Sequence, residues 1–588
     1  MKSLKKHFID GDFFLRSWHP YVCLALIASL PYLQILTFSE YTYYDDHFLI
    51  VENFSHINKL SHIGHAFLED VSHQGQGGNL YRPFLTVSFI LSAQLSGTGL
   101  WGFHLIDILL HCVSCCLLFL TLQTLGFKRL HSFCGALIFC VHPALTQAVA
   151  WIAGRNDSLL AIFILLSFST YNKYCSTSLV KWYLLHLLCF AGALFTKESA
   201  ILLPLLILLY SFSLKKEKIF SFSTFLFVAG WGVILVNWHI LRSASMVSPI
   251  GNKVLAATTV LSNLWIAVYY FGKMFWPFNY AFAPISSDIH VAAGIISVAL
   301  LSLAIVLSER RDWKLIIFGV IWFLAFLIPT FYYYSGVHTP PKFYEHRIYL
   351  PFMGILFVLL SLSYTNKLRY INGHLPLLLF LVIISSGWLS YTRIFNFKNS
   401  LALGEYDAST SPSDPRRYAD ITRMAIPEKL DQEMNVVQGR LQLRKSKRDT
   451  VSNEELWNIL DDLRSEIKSN RNDPELYHAL AVASFARGFF LSSEEYFLTA
   501  RQEKPQDATI PYNLGILYYI AQPKMKAEKE WLEALRLDTT MGNAHLNLSY
   551  YYYESGQYQS AWDHCQKAIQ LGIAVPSSLV NEIRGKIS

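Results

Sequence analysis

Two neighbouring carboxylates, Asp45 and Asp46, follow the first apolar stretch of the chain and are its strongest candidates for acid–base chemistry. Adjacent carboxylates tend to raise the pKa of one member, which suits a general base that takes a proton from a hydroxyl group. The alternative is structural, because an aspartate can cap the start of a helix. The residues leave open whether the pair is one base or a base beside a cap.

Four basic residues close to apolar stretches are candidates for binding a phosphate group: Arg82, Arg155, Lys197 and Arg347. A charge near lipid is costly and is usually kept for a function. Guanidinium and ammonium groups bind phosphate oxygens and stabilise the charge that develops when a phosphate departs. For Arg82 and Arg155 the alternative is that the side chains only extend from the apolar region to the membrane surface.

Four further polar residues are predicted to shape the same site: His142, Asp157, Glu198 and Glu345. Glu198, Glu345 and His142 also have structural alternatives. Lys197 and Glu198 can form an ion pair between two spans, and Glu345 and Arg347 can pair in the same way. His142 can satisfy a carbonyl group that the following proline leaves without a helical partner.

Composition excludes several other kinds of site. The net charge of +7 is not gathered into one basic run, so no nucleic-acid partner is predicted. Most of the nine cysteines lie in apolar stretches and do not form a disulfide framework. His56, His62 and His65 lack the spacing of metal ligands, so neither a metal nor a cofactor is predicted.

Apolar stretches make up most of the first 392 residues and must position these groups. The mean hydropathy is +0.31 and 53% of the residues are apolar, which indicates a membrane protein. Stretches long enough to cross a bilayer as helices run near 19–38, 103–125, 131–152, 157–173, 181–196, 199–213, 219–241, 257–276, 289–307, 314–331, 346–365 and 373–391.

The loop charges then reduce these twelve candidates to eleven spans. Positive clusters at Lys2–Lys6, Lys128–Arg129, Lys173–Lys181 and Lys215–Lys218 fall on one face, which we assign to the cytoplasm. The later clusters Arg310–Lys314 and Lys367–Arg369 reach that face only if 255–280 does not cross, so this segment is predicted to be re-entrant or to lie on the outer surface. The N-terminus, read as an uncleaved anchor, is then inside and the tail outside.

The first outer loop, 39–102, is long enough to expect a functional or ordered structure. Its apolar stretch Phe84–Leu95 is short for a crossing and suits a helix in the membrane interface. All the candidate site residues fall in outer loops or at outer span ends on this topology. We therefore expect them to converge on one site at the outer face of a domain that covers residues 1–392.

A repeat of 34 residues appears in the polar tail. Leucines 480, 514 and 548 keep this spacing, as do alanines 500, 534 and 568. Small and apolar residues at this period are typical of tetratricopeptide repeats, in which helical pairs stack on their neighbours. The tail is therefore predicted to be a tetratricopeptide-repeat α-solenoid at 453–588, with an earlier degenerate unit at Glu454–Asn472 and a linker at 393–452.

The motifs gain weight from their order along the chain. An acidic pair after the first span is followed by Tyr-Arg-Pro at 81–83, Phe-His at 103–104, His-Pro at 142–143, Gly-Arg-Asn-Asp at 154–157, Lys-Glu-Ser at 197–199 and Glu-His-Arg-Ile-Tyr-Leu-Pro at 345–351. This set, ahead of the repeats, resembles the transmembrane and tetratricopeptide-repeat O-mannosyltransferases and their bacterial homologues, which are GT-C glycosyltransferases. One departure is that 391–405 lacks the tryptophans expected there.

The resemblance implies an all-α polytopic membrane helix bundle of the GT-C kind followed by the solenoid. It also implies that Asp45 and Asp46 take part in catalysis and that the donor is a sugar on a polyprenyl phosphate. We therefore expect a membrane glycosyltransferase that acts on a hydroxyl group of a protein acceptor, bound in the groove of the repeats, at the non-cytoplasmic face. The short tail favours a bacterial inner membrane with the tail in the periplasm.

Two rival functions remain. A non-enzymatic membrane scaffold would use its repeats to assemble envelope proteins, and the acidic pair would then be dispensable. A transporter of lipid-linked sugars, or a glycolipid-modifying enzyme, would need charged residues along a path through the middle of the membrane. The clustering of charges at the outer boundaries favours the glycosyltransferase.

Overall fold

The computed structural model describes residues 17–39, 41–42, 45–51, 53–71, 80–216, 221–245, 263–278, 280–284, 286–331, 343–363, 375–399, 402–403, 406 and 410, and in the tail 474–486, 490–521, 525–573, 575 and 577–587. The chain divides into two compact units, Met1–Asp414 and Pro415–Ser588. Most of the predicted linker 393–452 and all of Glu454–Asn472 lie outside the described residues, as do the basic positions 2–6, 218, 367 and 369.

The first unit is a bundle of helices. Its α-helices are α1 (His19–Ser29), α2 (Phe54–Ile57), α3 (Pro83–Ser96), α4 (Leu100–Thr124), α5 (Arg129–Val141), α6 (Thr146–Ala150), α7 (Arg155–Thr177), α8 (Val180–Thr196), α9 (Leu203–Tyr210), α10 (Phe222–Ser245), α11 (Trp265–Phe275), α12 (Ala292–Leu307), α13 (Trp313–Phe331), α14 (Tyr349–Leu360) and α15 (Leu375–Ile394). A two-stranded antiparallel ribbon joins β1 (Arg310–Arg311) to β2 (Leu362–Ser363).

Short 3₁₀ and π turns connect or extend these helices. The 3₁₀ turns are Leu30–Thr37, Leu60–Ile63, His65–Phe67, Pro143–Leu145, Ile152–Gly154, Glu198–Leu202, Ser286–Asp288, Glu345–Ile348 and Phe395–Phe397, and the π turns are His47–Val51 and Ser211–Lys215. Many of the predicted site residues lie in these turns or beside them.

Several helices are built to contact lipid. Within the described residues, six helices are long and apolar enough to cross a membrane, or up to seven if the bent pair Arg129–Val141 and Pro143–Ala150 is one span. Large apolar side chains face outward on such helices, for example Phe222 and Phe225 on α10 and Leu378 on α15. Because such exposure is unfavourable in water, the chain is an integral membrane protein.

The structure differs from the predicted spans in several places. Three apolar helices on predicted spans are shorter than a full crossing over their described residues: Val180–Thr196, Ala292–Leu307 and Trp313–Ile328. Pro83–Ser96 is also short, as predicted for the stretch Phe84–Leu95. The candidate span 346–365 contains only the twelve-residue helix α14. Part of the candidate re-entrant segment 255–280 is the eleven-residue helix α11. The count of eleven spans therefore stays a prediction.

The predicted span 131–152 is bent instead of straight. Helix α5 ends at Val141 and the next helical segment, Pro143–Ala150, turns away by 54°. His142 has an extended conformation, with φ −71° and ψ 125°. A residue before proline avoids the helical region, and proline cannot donate a backbone hydrogen bond. The bend brings the short helix α6 to the start of α7, where the candidate site lies.

Helices α4 and α7 pack against each other and carry the core of the first unit. Phe103 and Leu118 on α4 and Ile164 and Phe168 on α7 are completely buried. Helix α3 packs against α4, and α8 packs along α7. This packing fixes the beginning of α7, and with it the polar residues in its first turn.

Close approach of two glycines joins α13 to α14. A Cβ atom on Gly354 would lie 2.5 Å from the Gly319 carbonyl oxygen, and a Cβ atom on Gly319 would lie equally near the Gly354 carbonyl oxygen. Small residues at such crossings allow the backbones of membrane helices to touch. This contact holds α14 and the preceding turn Glu345–Ile348, which carries the candidate site residues Glu345 and Arg347.

The second unit consists of successive helices. They are α16 (Pro474–Ala486), α17 (Phe490–Glu503), α18 (Thr509–Ala521), α19 (Met525–Leu537), α20 (Gly542–Glu554), α21 (Tyr558–Gln570) and α22 (Ser577–Ile587). The first six of these helices pack as three neighbouring pairs. The leucines and alanines that keep the 34-residue spacing in the sequence are all buried. Residues that are 34 positions apart thus occupy equivalent packing positions in successive helical pairs.

Candidate functional site

The turn before α7 is the centre of the candidate site. Gly154 lies so close to α6 that a Cβ atom there would be 2.7 Å from the Gln147 carbonyl oxygen, so any side chain would displace the turn. Gln147 also holds two other segments, because its amide nitrogen donates to the Phe282 carbonyl (2.8 Å) and its amide oxygen accepts from the backbone N–H of His346 (2.7 Å). Three segments distant in sequence therefore meet at residues 147–154.

Asp46 binds directly to this turn. Its Oδ1 accepts a hydrogen bond from the backbone N–H of Ala153 (2.8 Å), and its Oδ2 accepts one from the Thr42 hydroxyl (2.6 Å). Asp46 is almost fully buried. Burial raises its pKa to about 7, although the two hydrogen bonds oppose the shift, and the nearby carboxylates Asp45 and Asp107 raise the pKa further. Asp46 can therefore exchange a proton near neutral pH.

The acidic pair has unequal environments. Asp45 is exposed, whereas its neighbour Asp46 is buried against the 152–154 turn. A buried carboxylate with a raised pKa is the better candidate for a general base, because its proton affinity is close to what neutral pH requires. The structure thus separates two residues that the sequence left equivalent.

Arg155 forms a closed ion pair with Asp107 on α4. The Arg155 Nε donates to Asp107 Oδ1 at 2.6 Å, and neither side chain is exposed. The remaining guanidinium nitrogens donate to Ser88, Ser92 and Phe103. Every nitrogen of Arg155 is thus engaged by the protein. The geometry matches that of a buried structural arginine that joins α3, α4 and α7.

Asp157, two residues after Arg155 in the first turn of α7, holds Lys197. The Lys197 Nζ donates to both carboxylate oxygens of Asp157, at 2.7 and 2.9 Å. The Lys197 side chain keeps 15% of its surface exposed. Burial lowers the pKa of Lys197, the charges of Arg82 and Arg347 lower it further, and Asp157 opposes the shift. Three cations therefore influence one another at this point.

Arg82 and Glu198 form a looser pair beside Lys197. Arg82 and the Glu198 carboxylate are 3.6 Å apart and both side chains are partly exposed. The Nε of Arg82 is buried and has no hydrogen-bond partner among the described residues. Lys197 and Glu198, adjacent in sequence, thus pair with Asp157 and Arg82 instead of with each other.

The turn Glu345–Ile348 brings the last predicted residues to the same region. The Arg347 guanidinium lies over the Tyr344 ring, 5.6 Å from its centre. The Nε2 of His346 is 3.7 Å from Asp157 Oδ2. Arg347 therefore joins the group formed by Arg82, Asp157 and Lys197. We name Arg82, Lys197 and Arg347 the cation group.

Glu345 pairs with a residue that the sequence analysis did not single out. Its carboxylate forms an ion pair with Arg393, at the end of α15, and accepts a hydrogen bond from the backbone N–H of Ala281 (2.8 Å). Arg393 also donates to the Pro143 carbonyl at 2.6 Å. The alternative pairing of Glu345 with Arg347 is therefore wrong, because Arg393 already occupies the Glu345 carboxylate.

His142 is bound by backbone groups on both sides of its ring. Its Nδ1 accepts from the N–H of Ala144 (3.2 Å), so it caps the turn that begins at Pro143. Its Nε2 donates to the carbonyl of Met274 at 3.0 Å. The geometry corresponds to the structural alternative, in which the histidine satisfies backbone groups near the proline.

Asp107, Arg393 and Gln147 are the important residues that sequence reasoning missed. Asp107 was detectable, because a carboxylate inside an otherwise apolar helix is costly and usually marks a partner. Arg393 lies in 391–405, the segment in which the family resemblance predicts tryptophans and not charges. Gln147 has no sequence signal, since its role depends on the bend at His142.

Part of the candidate site lies in a segment that is similar to known proteins. A family model described as dolichyl-phosphate-mannose-protein mannosyltransferase matches residues 83–240. That range includes His142, Arg155, Asp157, Lys197 and Glu198. The acidic pair, Arg82 and the turn at 345–348 lie outside it.

Individual relatives carry related names. The human protein O-mannosyl-transferase TMTC1 is 39% identical over 111 residues, which are 19% of this chain and 12% of that protein. The mouse protein O-mannosyl-transferase TMTC2 is 33% identical over 147 residues, 23% of this chain and 18% of that protein. The human protein O-mannosyl-transferase TMTC4 is 39% identical over 143 residues, 21% of this chain and 19% of that protein.

This chain thus covers less than a fifth of the length of these relatives. The predicted resemblance to O-mannosyltransferases is confirmed, and the chain is an O-mannosyltransferase-like membrane protein.

Proposed function

We propose that the protein transfers a sugar from a polyprenyl-phosphate carrier to a hydroxyl group of a protein acceptor at the non-cytoplasmic face of its membrane. Mannose is the sugar in the names of the relatives and is our first choice of donor sugar. The observation that carries the proposal is that the segment 153–157 binds the buried Asp46 carboxylate through the Ala153 N–H and binds Lys197, a member of the cation group, through Asp157.

The distance along this segment suits a phosphosugar. Ala153, which binds Asp46, and Asp157, which binds Lys197, are four residues apart. A rise of about 1.5–2 Å per residue, across the end of the 3₁₀ turn and the start of α7, separates these two backbone positions by roughly 6–8 Å. In our proposal, one sugar ring and its phosphate extend between the side chains bound at these positions.

The reaction follows from these positions. Asp46 takes the proton of the acceptor hydroxyl as the oxygen attacks the anomeric carbon of the sugar. The bond between that carbon and the phosphate oxygen breaks, and the polyprenyl phosphate leaves with the electron pair. Arg82, Lys197 and Arg347 stabilise the negative charge on the departing phosphate. Asp45, which is exposed, stays a candidate for binding or orienting the acceptor.

The remaining predicted residues position these groups. Asp157 orients Lys197, and Glu198 orients Arg82. Arg155 serves in our proposal as a positioning residue, because its partners within the protein already occupy its guanidinium. Glu345, through Arg393, fixes the turn that carries Arg347, and His142 fixes the bend before α6.

In this proposal, the tail binds the protein acceptor. Three helical pairs with buried leucines and alanines at a 34-residue period support the proposed tetratricopeptide repeats, a kind of array whose groove binds extended protein segments. The proposed topology keeps eleven spans, with the site and the tail on the outer side of a bacterial inner membrane. Membrane lipids surround the first unit.

A reconstituted transfer assay tests the function. Purified full-length protein in nanodiscs receives polyprenyl-phosphate mannose and a serine- and threonine-rich acceptor protein, and mass spectrometry detects the transferred hexose. We expect transfer by the wild type and none by the Asp45→Asn/Asp46→Asn double variant with normal membrane insertion. Equal transfer by both proteins would refute the proposed role of the acidic pair.

A further inference from the structure

Among the buried polar atoms near the candidate site that have no hydrogen-bond partner within the described part of the chain, two lie on neighbouring aromatic rings: Trp151 Nε1 and His346 Nδ1. The two residues are only 2% and 8% exposed. Their ring centres are 5.4 Å apart. Buried polar groups are almost always hydrogen-bonded, so two unsatisfied atoms on neighbouring rings indicate a missing ligand.

The protein holds both rings in fixed positions. The Trp151 ring stacks on Tyr344, with ring centres 5.7 Å apart and planes 17° apart, and meets the edge of Phe282 at 5.1 Å. The backbone N–H of His346 donates to Gln147 at 2.7 Å. Rings held in this way present their polar atoms to a ligand without losing side-chain freedom on binding.

The chemistry of the two atoms is complementary. A tryptophan Nε1–H is only a donor. The Nε2 of His346 lies toward the Asp157 carboxylate, at 3.7 Å, which favours a proton on Nε2 and leaves Nδ1 as an acceptor. One donor beside one acceptor matches a hydroxyl group, which accepts a hydrogen bond from the first and donates one to the second.

The place of this donor–acceptor pair identifies the hydroxyl. Trp151 is two residues from Ala153, which binds Asp46, and His346 adjoins Arg347 of the cation group. Both rings therefore lie beside residues that the proposed function assigns to the base and to the phosphate. We propose that Trp151 and His346 form the sugar subsite, in which a hydroxyl group of a pyranose ring binds Nε1–H and Nδ1. This inference rests on the proposed function, because that function places the donor here.

Equilibrium binding tests the subsite without requiring transfer. Full-length protein in nanodiscs is titrated with polyprenyl-phosphate mannose, with polyprenyl phosphate, and with donors that lack the 2-, 3-, 4- or 6-hydroxyl group. A site built to bind a hydroxyl group rejects the analogue without it, so the wild type should bind one deoxy donor about tenfold more weakly than the mannose donor.

Variants assign this preference to the two atoms. Trp151→Phe removes the N–H and keeps a stacking ring, and it should reduce the preference to less than about twofold. Trp388→Phe is the matched control, because Trp388 is 63% exposed on α15, and it should keep the wild-type preference. His346→Asn retains an acceptor near the Nδ1 position and should keep most of the preference, whereas His346→Phe should abolish it.

The outcomes separate the two claims. A wild type that binds all the deoxy donors as tightly as the mannose donor overturns the subsite, and so does a Trp151→Phe variant with an unchanged preference. A separate cavity of about 470 Å³ is lined by Lys273, Trp276 and His290. If the affinity for the donor falls in Lys273→Met alone, the donor binds in that cavity, and this result also overturns the subsite. A wild type that shows the preference but transfers no sugar refutes the proposed function and supports the subsite.

Discussion

Two cations around the beginning of α7 differ in a way that their sequence motifs do not reveal. Arg155 is completely buried, and all its nitrogens have partners within the protein. Lys197 is bound to Asp157, which lies two residues after Arg155 on α7, and 15% of the Lys197 side chain is exposed. The first interaction is closed and the second is open. The difference indicates that Arg155 shapes the scaffold and that Lys197 is available to a substrate.

Breaking the closed pair should have the largest effect. Arg155→Met leaves the Asp107 carboxylate buried without its cation, which should reduce the free energy of unfolding by about 3–5 kcal/mol. Thermal unfolding in detergent, followed by size-exclusion chromatography, measures the loss. The Arg155→Met/Asp107→Leu variant should lose less than the single variant. A folded Arg155→Met protein whose only defect is weak donor binding would contradict the scaffold role.

Breaking the open pair should affect transfer more than folding. Lys197→Met removes a cation from the departing phosphate, so the rate of transfer should fall on the order of 100-fold. The unfolding temperature should fall less than in Arg155→Met, because the pair is partly exposed. Lys197→Arg keeps the charge and should recover part of the rate. Equal losses of stability in Lys197→Met and Arg155→Met would erase the distinction.

The acidity of Asp46 gives opposite pH dependences for rate and stability. Transfer needs the deprotonated carboxylate and should rise as the pH increases through about 7. The folded protein holds a proton on Asp46 that the unfolded chain releases near its ordinary pKa of 3.8, so this contribution to stability is complete below that pH and is lost as the pH rises through about 7.

The Asp46→Asn variant provides the control for both curves. Its residual transfer rate should not depend on pH around pH 7. As the pH rises through about 7, its unfolding temperature should increase relative to that of the wild type. Parallel unfolding curves for the two proteins would show that Asp46 does not titrate there.

The smallest effect is expected at the pair of Arg82 and Glu198. Both side chains are partly exposed and 3.6 Å apart, so Glu198→Gln should change the free energy of unfolding by less than about 1 kcal/mol. The KM for the donor should rise in Arg82→Gln and change less in Glu198→Gln, because of these two residues only Arg82 is proposed to contact the phosphate, and a glutamine at 198 can still accept a hydrogen bond from it. A larger effect of Glu198→Gln on KM would move the carboxylate into the donor site.

The sequence singled out charged residues but did not divide the roles among them. Asp46, Asp157 and Lys197 were chosen because charges near lipid are costly, and the structure brings Asp46 to Ala153 and Lys197 to Asp157. Charge alone does not distinguish an open interaction from a closed one. The Arg155 interaction is closed because Asp107 on α4 pairs with it, and tertiary packing brings these two residues together.

The fold shows the same limit. Hydropathy identified apolar helices such as α4, α7 and α10, and the 34-residue spacing identified buried positions in the tail. Hydropathy did not predict that His142 and Pro143 bend the apolar stretch 131–152 by 54°. The bend creates the contact of Gln147 with His346, so the pairing of distant loops could not be read from the period of the apolar residues.

The central claim is that Asp46 and the cation group act on one donor molecule. Cryo-electron microscopy of the Asp46→Asn variant with bound polyprenyl-phosphate mannose tests it most directly. We predict phosphate density against Lys197, Arg82 and Arg347, with the sugar between that phosphate and residue 46. Phosphate density beside Lys273, or anywhere that leaves residue 46 out of reach of the sugar, would contradict the account.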